Sequence, residues 1–352
     1  MELNKLGFNA LVQQNFEQSE FNHLSIARIS AEHKNGYRVF TEQGELTAII
    51  LGKLRNTCIA NQDFPAVGDW VACEIIDGED KALIQDILPR KSKFSRKVAG
   101  VETREQIIAS NIDFAFIVCA LNYDFNVRRI ERYLTLIWES GATPVIVLTK
   151  PDLCDDVLSK VALVNEIAFG VDINIINNIS ADGVAALAKY FVGNKTAVLL
   201  GSSGVGKSSL INNLVHDQVM KVNVLRSDVD KGRHTTTHRQ MFVLADGGVI
   251  IDTPGVRELQ LWDAQSGIDH TFNDISEIAK HCKFNDCKHE NEPKCAVQQA
   301  IASGLLDEDR LHSYFKVIKE QEYLSNRQSQ SAAKIERDKW KPIHKRIKNM
   351  NK

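Results

Sequence analysis

The stretch that most restricts the fold of this chain is "VLLGSSGVGKSSL", residues 198–210. It fits the pattern G-x-x-x-x-G-K-[ST], with Gly201, Gly206, Lys207 and Ser208 in register. Such a loop needs a strand entering it and a helix leaving it. Its backbone N–H groups turn inward to meet an anion, and the helix N-terminus adds the positive end of its dipole. The flanking sequence obliges. The apolar runs "IDFAFIVCA", "TPVIVLT", "DINIINN" and "TAVLL" read as buried strands. Between them "VRRIERYLTLIWES", residues 155–169 and residues 184–192 read as helices. Strands and helices in alternation specify a parallel sheet covered on both faces.

Residues Gly201, Ser202, Ser203, Gly204, Val205, Gly206, Lys207, Ser208 and Ser209 are therefore the expected phosphate cradle of a nucleotide. Lys207 is placed to bridge the β- and γ-phosphates and Ser208 to ligate Mg²⁺. A second metal-side element is expected where an apolar strand ends in Asp. "GGVIIDTPG" supplies it, with Asp252 toward Mg²⁺ and the Gly255 N–H toward the γ-phosphate. "DKGRHTTTHR" lies between the two. One of its threonines should meet both γ-phosphate and Mg²⁺; Thr236 is preferred and Thr235 is the alternative.

The base-reading element comes early. "VIVLTKPD", residues 145–152, ends a strand with Thr149, Lys150, Pro151 and Asp152. A carboxylate accepts the paired N1–H and N2–H₂ of guanine, so Asp152 suits that base, with the Lys150 stem over its plane. Thr149 stands where Asn is usual. The next strand ends in "NNISADG", in which Ser180 and Ala181 are expected to back the ring. Base loop, backing loop, phosphate loop, threonines and Asp-Thr-Pro-Gly, in that order, describe a guanine-nucleotide domain cyclically cut and rejoined. Chain termini lie close together at domain surfaces, which makes such a permutation tolerable.

At 352 residues there is room for more than one domain. The short alternating segments between Tyr37 and Leu88 predict a small all-β barrel of the OB type. The expected division is an N-terminal extension 1–34, the barrel 35–92, a linker 93–104, the α/β domain 105–267, and a mostly helical domain 268–352 ending in a basic tail. A net charge of −2 offers no overall polycation. Local clusters do exist: Arg90, Lys91, Lys93, Arg96 and Lys97, and a tail with Arg337, Lys339, Lys341, Lys345, Arg346, Lys348 and Lys352 around Trp340. With the barrel they suggest RNA contact through phosphates. No apolar run approaches the roughly 20 residues of a membrane span, and the polar N-terminus has no signal-peptide pattern, so a cytoplasmic protein is expected.

Cys282, Cys287, His289 and Cys295 form the cluster "CKFNDCKHENEPKC". Three thiolates and one imidazole suit a closed, tetrahedral structural Zn²⁺. His281 is the competing imidazole, but its adjacency to Cys282 gives it the poorer geometry. The other four cysteines, Cys58, Cys73, Cys119 and Cys154, read as reduced thiols.

Taken together, "TKPD", "GSSGVGKSS", "GRHTTTHR", "DTPG" and the cysteine cluster resemble the ribosome small-subunit-dependent GTPase family, RsgA (also called YjeQ or EngC). The resemblance implies an N-terminal OB-fold, a circularly permuted GTPase domain and a C-terminal zinc domain. It further implies GTP and GDP as ligands, slow GTP hydrolysis stimulated by the 30S subunit with its 16S rRNA, and a role in late subunit maturation alongside other assembly factors. A monomer is expected. Val256 follows Asp-Thr-Pro-Gly where many GTPases carry a water-orienting Gln, so unassisted hydrolysis should be slow. His234 is the candidate replacement, and the resemblance points there too. Two other readings share the phosphate loop. An ATP-using enzyme leaves Lys150 and Asp152 without a purpose, and an RNA-binding scaffold would hold nucleotide without turning it over.

Overall fold

The computed structural model describes residues 2–58, 60–97, 105–217, 219, 239–253, 265–290, 292–323 and 325. His234, Thr235, Thr236, Gly255, Val256 and the basic tail lie outside them.

A short 3₁₀ turn (Leu3–Leu6) and helix α1 (Ala10–Glu17) open the chain. The helix is started by Asn9, whose side chain accepts from the N–H groups of Leu11 and Val12. The barrel is built from β1 (Ser25–His33), β2 (Gly36–Thr41), β3 (Gly44–Ile50), β4 (Trp70–Ile75) and β5 (Lys81–Ile87), with α2 (Gly52–Thr57) between β3 and β4. Its strands run β1-β2-β3-β5-β4, and β4 pairs back onto β1, so the sheet closes and no edge is left. The pairing of β3 with β5 is parallel and the rest are antiparallel. Alternation in β3, with Leu46 and Ala48 inward, is the half-buried pattern the sequence predicts.

The barrel begins at Ser25 rather than at residue 35, because β1 is one of its five strands. β1 conceals itself in the sequence by carrying Arg28 and Ser30 at buried positions. Arg28 is satisfied by distant partners: its guanidinium donates to the carbonyls of Leu6, Gly68 and Asn111 and to Thr196 Oγ1. Burial pulls its pKa down to about 10, against the pull of Asp113 and Asp69.

The expected linker is also partly structured. β6 (Lys93–Lys97) pairs antiparallel with β7 (Glu105–Ser110). Arg90 is held by both carboxylate oxygens of the fully buried Asp69, at 2.8 and 2.7 Å, and by the carbonyls of Gln62 and Phe64. Lys91 pairs with Asp113 and Lys93 with Glu105. Part of this basic cluster therefore joins domains.

The α/β unit contains β8 (Phe114–Ala120), α3 (Val127–Ser140), β9 (Thr143–Thr149), α4 (Val157–Ile167), β10 (Asp172–Ile176), β11 (Thr196–Leu200), α5 (Lys207–Val215), β12 (Gln240–Val243) and β13 (Val249–Asp252). Its strand order is β10-β9-β8-β11-β13-β12. All are parallel except β12, which forms the expected hairpin with β13. β11 and β13 are buried along their whole length, as central strands between helical layers must be. β12 also meets β1 at Ala31 and Gln240, so barrel and α/β sheet are continuous, and Arg239 pairs with Glu32 at the joint. The C-terminal part is helical: α6 (Gln265–Thr271), α7 (Asn273–Ala279), α8 (Ala296–Ala302) and a helix over 308–323. Among the described residues no helix is long and apolar enough to cross a membrane.

Candidate functional site

The parallel strands β10, β9, β8, β11 and β13 present their carboxyl ends on one edge of the sheet, where open α/β sheets bind ligands. The phosphate loop follows β11. Gly201 has φ +148°, and a Cβ there would lie 2.3 Å from the Val118 carbonyl oxygen, so only glycine lets the loop press against β8. Gly206 closes the loop at φ +103° and caps α5, which begins at Lys207. The Lys207 ammonium donates to the carbonyls of Gly201 and Ser202, both at 2.7 Å. Asp252, at the end of β13, lies opposite Leu199 on β11 and is buried. Burial raises its pKa and the Lys207 charge opposes the rise. Thr253 Oγ1 donates to Leu199 O at 2.9 Å, fixing where the strand ends.

The base-loop candidates converge on the phosphate loop from the neighbouring strand. Thr149 is completely buried, and its hydroxyl donates to Val205 O at 2.6 Å. The sequence left the job of this residue open; here it anchors the phosphate loop. Lys150 adopts a left-handed backbone, φ 57°, and its ammonium donates to Gly204 O at 2.7 Å. Pro151 starts a 3₁₀ turn that carries Asp152. Two residues of one loop therefore hold two successive carbonyls of the other.

The expected backing loop follows β10. Ser180 Oγ donates to Asp182 Oδ2 within a local turn, and Ala181 takes φ 62° in the same turn. Asn177 and Asn178 hydrogen-bond to the base-loop and phosphate-loop candidates. Asn177 Nδ2 donates to Asp152 Oδ1 at 3.1 Å, and Asn178 Nδ2 donates to Gly206 O at 3.1 Å. Asn213 of α5 donates in turn to Asn178 O at 3.0 Å. Neither asparagine belongs to the Ser-Ala pair that the sequence singles out. The useful signal is position, since the first two residues after β10 face the end of β9.

Ser202 lies within the expected phosphate cradle. Its hydroxyl accepts from Arg129 of α3, and Arg129 is braced by the carboxylate of Asp124.

In the C-terminal part the ligand atoms of Cys282, Cys287, His289 and Cys295 all lie within 4.8 Å of one another. His289 Nδ1 is 3.6 Å from Cys282 Sγ and 3.5 Å from Cys295 Sγ, and those two sulfurs are 3.9 Å apart. Zinc–sulfur bonds of about 2.3 Å in a tetrahedron give edges of about 3.8 Å, so the donors are spaced for one such ion. Burial lowers the His289 pKa, which favours the neutral imidazole a metal requires.

Comparison with known proteins decides the family. The model of the RsgA GTPase matches residues 87–262. A relative from Oceanobacillus iheyensis, named small ribosomal subunit biogenesis GTPase RsgA 1, is 46% identical over 90% of this chain and 91% of its own. The chain belongs to the RsgA GTPase family. An RsgA-type fold is equally plain in three dimensions. The crystal structure of YjeQ from Thermotoga maritima superposes with a TM-score of 0.62 at 26% identity, covering 84% of this chain and 98% of that one. The structure of YloQ, described as a circularly permuted GTPase, gives 0.58 at 24% identity and covers 87% and 97%, a likeness of fold.

Proposed function

We propose that this chain is a circularly permuted GTPase that acts on the small ribosomal subunit during its biogenesis. It binds GTP and GDP at the carboxyl edge of the α/β sheet. One observation carries the reading: Thr149 and Lys150 are tied to Val205 and Gly204, so the base loop and the phosphate loop form one rigid cradle despite their reversed order in the chain. Asp152, with one oxygen steadied by Asn177, accepts the guanine N1–H and N2–H₂ pair. Lys207 releases its loop carbonyls to neutralise the β- and γ-phosphates. Ser208, Asp252 and a threonine, Thr236 before Thr235, would hold Mg²⁺, which supplies charge neutralisation at the transferred phosphoryl group. Asp252, charged against a burial penalty, is well matched to a cation. His234 orients the attacking water in place of the Gln that Val256 cannot imitate. Cys282, Cys287, His289 and Cys295 hold one structural Zn²⁺ and leave it no open position for catalysis.

The subunit supplies the stimulus for hydrolysis. The barrel and the basic tail contact 16S rRNA, and GTP turnover times departure from a nearly mature subunit, together with release of other assembly factors. The protein works as a monomer in the cytoplasm. Phosphate release measured with and without purified 30S subunits tests this: strong stimulation is expected. Release that is unchanged by subunits would favour a nucleotide-holding scaffold, and ATP competing with labelled GDP as well as GTP does would remove the guanine assignment.

A further inference from the structure

Helix α3 has the phosphate loop at one end and the C-terminal helices along its flank. It starts cleanly, with Asn126 accepting from the Arg129 N–H, and ends at Gly141 with φ +82°. Ile130, Leu134 and Ile137 bury one face under the sheet. Arg129 leaves this face to donate to Ser202, while Asp124 clamps the same guanidinium through both carboxylate oxygens.

The neighbouring positions of the same helix grip the C-terminal part. Glu131, fully buried, accepts from Arg310 Nη1 at 2.7 Å, and Arg310 is further fixed by both oxygens of Asp274 and by Thr271 O. Arg128 pairs with Asp307, and Arg132 makes two bonds to Glu320 at 2.5 and 2.7 Å. Against α6 the contact is backbone to backbone, for a Cβ on Gly267 would sit 2.2 Å from Thr135 O. Trp138 stacks on His270 with ring centroids 5.4 Å apart. A close-packed contact of this kind transmits displacement, because interiors resist compression.

We infer that Arg129 is a positioning residue for the phosphate loop, and that α3 makes the nucleotide affinity of that loop depend on how the C-terminal helices are docked. This rests on the nucleotide site proposed above. The direction of influence is reciprocal, as linkage requires: whatever shifts the C-terminal helices alters nucleotide affinity, and nucleotide binding stiffens their attachment.

The Glu131–Arg310 pair is unsuitable as a probe, since breaking a buried ion pair risks unfolding. The Arg132–Glu320 pair at the rim is suitable. Binding of fluorescently labelled GDP to the full chain is measured for Arg129→Gln, Arg129→Lys, Glu320→Arg, the charge swap Arg132→Glu with Glu320→Arg, and Glu320→Arg in the Arg129→Gln background. Arg129→Gln should weaken GDP binding by about tenfold or more, the scale of one charge-assisted hydrogen bond, with partial recovery in Arg129→Lys. Glu320→Arg should weaken it about threefold or more, within the range of measured coupling along packed networks, and the swap should restore it. In the Arg129→Gln background Glu320→Arg should have no further effect. Equal effects of Glu320→Arg in both backgrounds, or none in either, overturn the coupling while parent GDP binding stands. Failure of the parent chain to bind GDP would instead overturn the nucleotide site itself.

Discussion

The hydroxyl of Thr149 offers a sharp test of how the cradle is held. Thr149→Val is nearly isosteric, so it opens no cavity, and it removes the hydroxyl whose short bond goes to Val205 O at 2.6 Å and whose longer contact goes to Cys119 O at 3.4 Å. Thr149 has no exposed surface and Val205 is 2% exposed, so water cannot easily replace the lost partner. A buried acceptor left unmade costs about 1–3 kcal/mol. That cost falls first on the stability of the nucleotide-free protein. The same carbonyl fixes Val205, between the two glycines that shape the phosphate loop. With about half of that cost, about 0.5–1.5 kcal/mol, added in the bound state relative to the free one, GDP binding weakens by about two- to tenfold, since 1.4 kcal/mol corresponds to one decade. Titration with labelled GDP reads the affinity, and urea denaturation of the nucleotide-free protein reads the stability. Thr149→Ser keeps the hydroxyl and should stay close to the parent in GDP affinity, losing only the roughly 1 kcal/mol of stability of one buried methyl group. Unchanged GDP affinity and unchanged stability in Thr149→Val would refute the view that this bond holds the loop.

Asp152→Asn replaces one acceptor oxygen by a donor; GDP binding should fall by at least tenfold while xanthosine diphosphate, which lacks the N2 donors, gains in competition assays. The Asp252 pKa is raised in the folded protein, so its ionisation opposes folding: stability is fully present below the ordinary carboxylate value of about 3.9 and is lost as pH rises through the folded pKa. Asp252→Asn should therefore be more stable than the parent at neutral pH without nucleotide, with the difference vanishing in acid, and should lose Mg²⁺-dependent GTP affinity; denaturation midpoints across pH check the first part. Cys295→Ser should abolish the single bound zinc found by metal analysis and lower C-terminal helix content by circular dichroism, because Cys295 Sγ also accepts from the Gln298 N–H at the start of α8. His234→Ala should eliminate subunit-stimulated turnover while GTP still binds; stimulated turnover at the parent rate would remove His234 from the mechanism.

Several elements were legible in the sequence because their signals are local. The strands β8, β9 and β11 are continuous apolar runs, and α3 has both its caps and its amphipathic spacing within one segment. The cysteine cluster occupies residues 282–295 and carries its own chemistry. β1 was not legible as a barrel strand, since Arg28 interrupts the apolar alternation and its partners lie as far away as Thr196. Arg90 read as an RNA-facing cation until Asp69 was placed against it. Asn177 and Asn178 contain no recognisable word, so their role depends on which strand ends they stand between.

The sequence alone determined the order of parts: the candidate base loop ahead of the candidate phosphate loop, a glycine pattern suited to a tight anion cradle, and four soft donors in one short segment. These are properties of short stretches, in which the chemistry of a few side chains and their spacing suffices. Tertiary structure alone decided which residues hold the cradle in shape. The bonds of Thr149 to Val205, Asn178 to Gly206 and Arg129 to Ser202 join positions remote in the chain. A hydrogen bond depends on separations of a few ångströms, and those are set by how strands and helices stack after the chain has closed on itself.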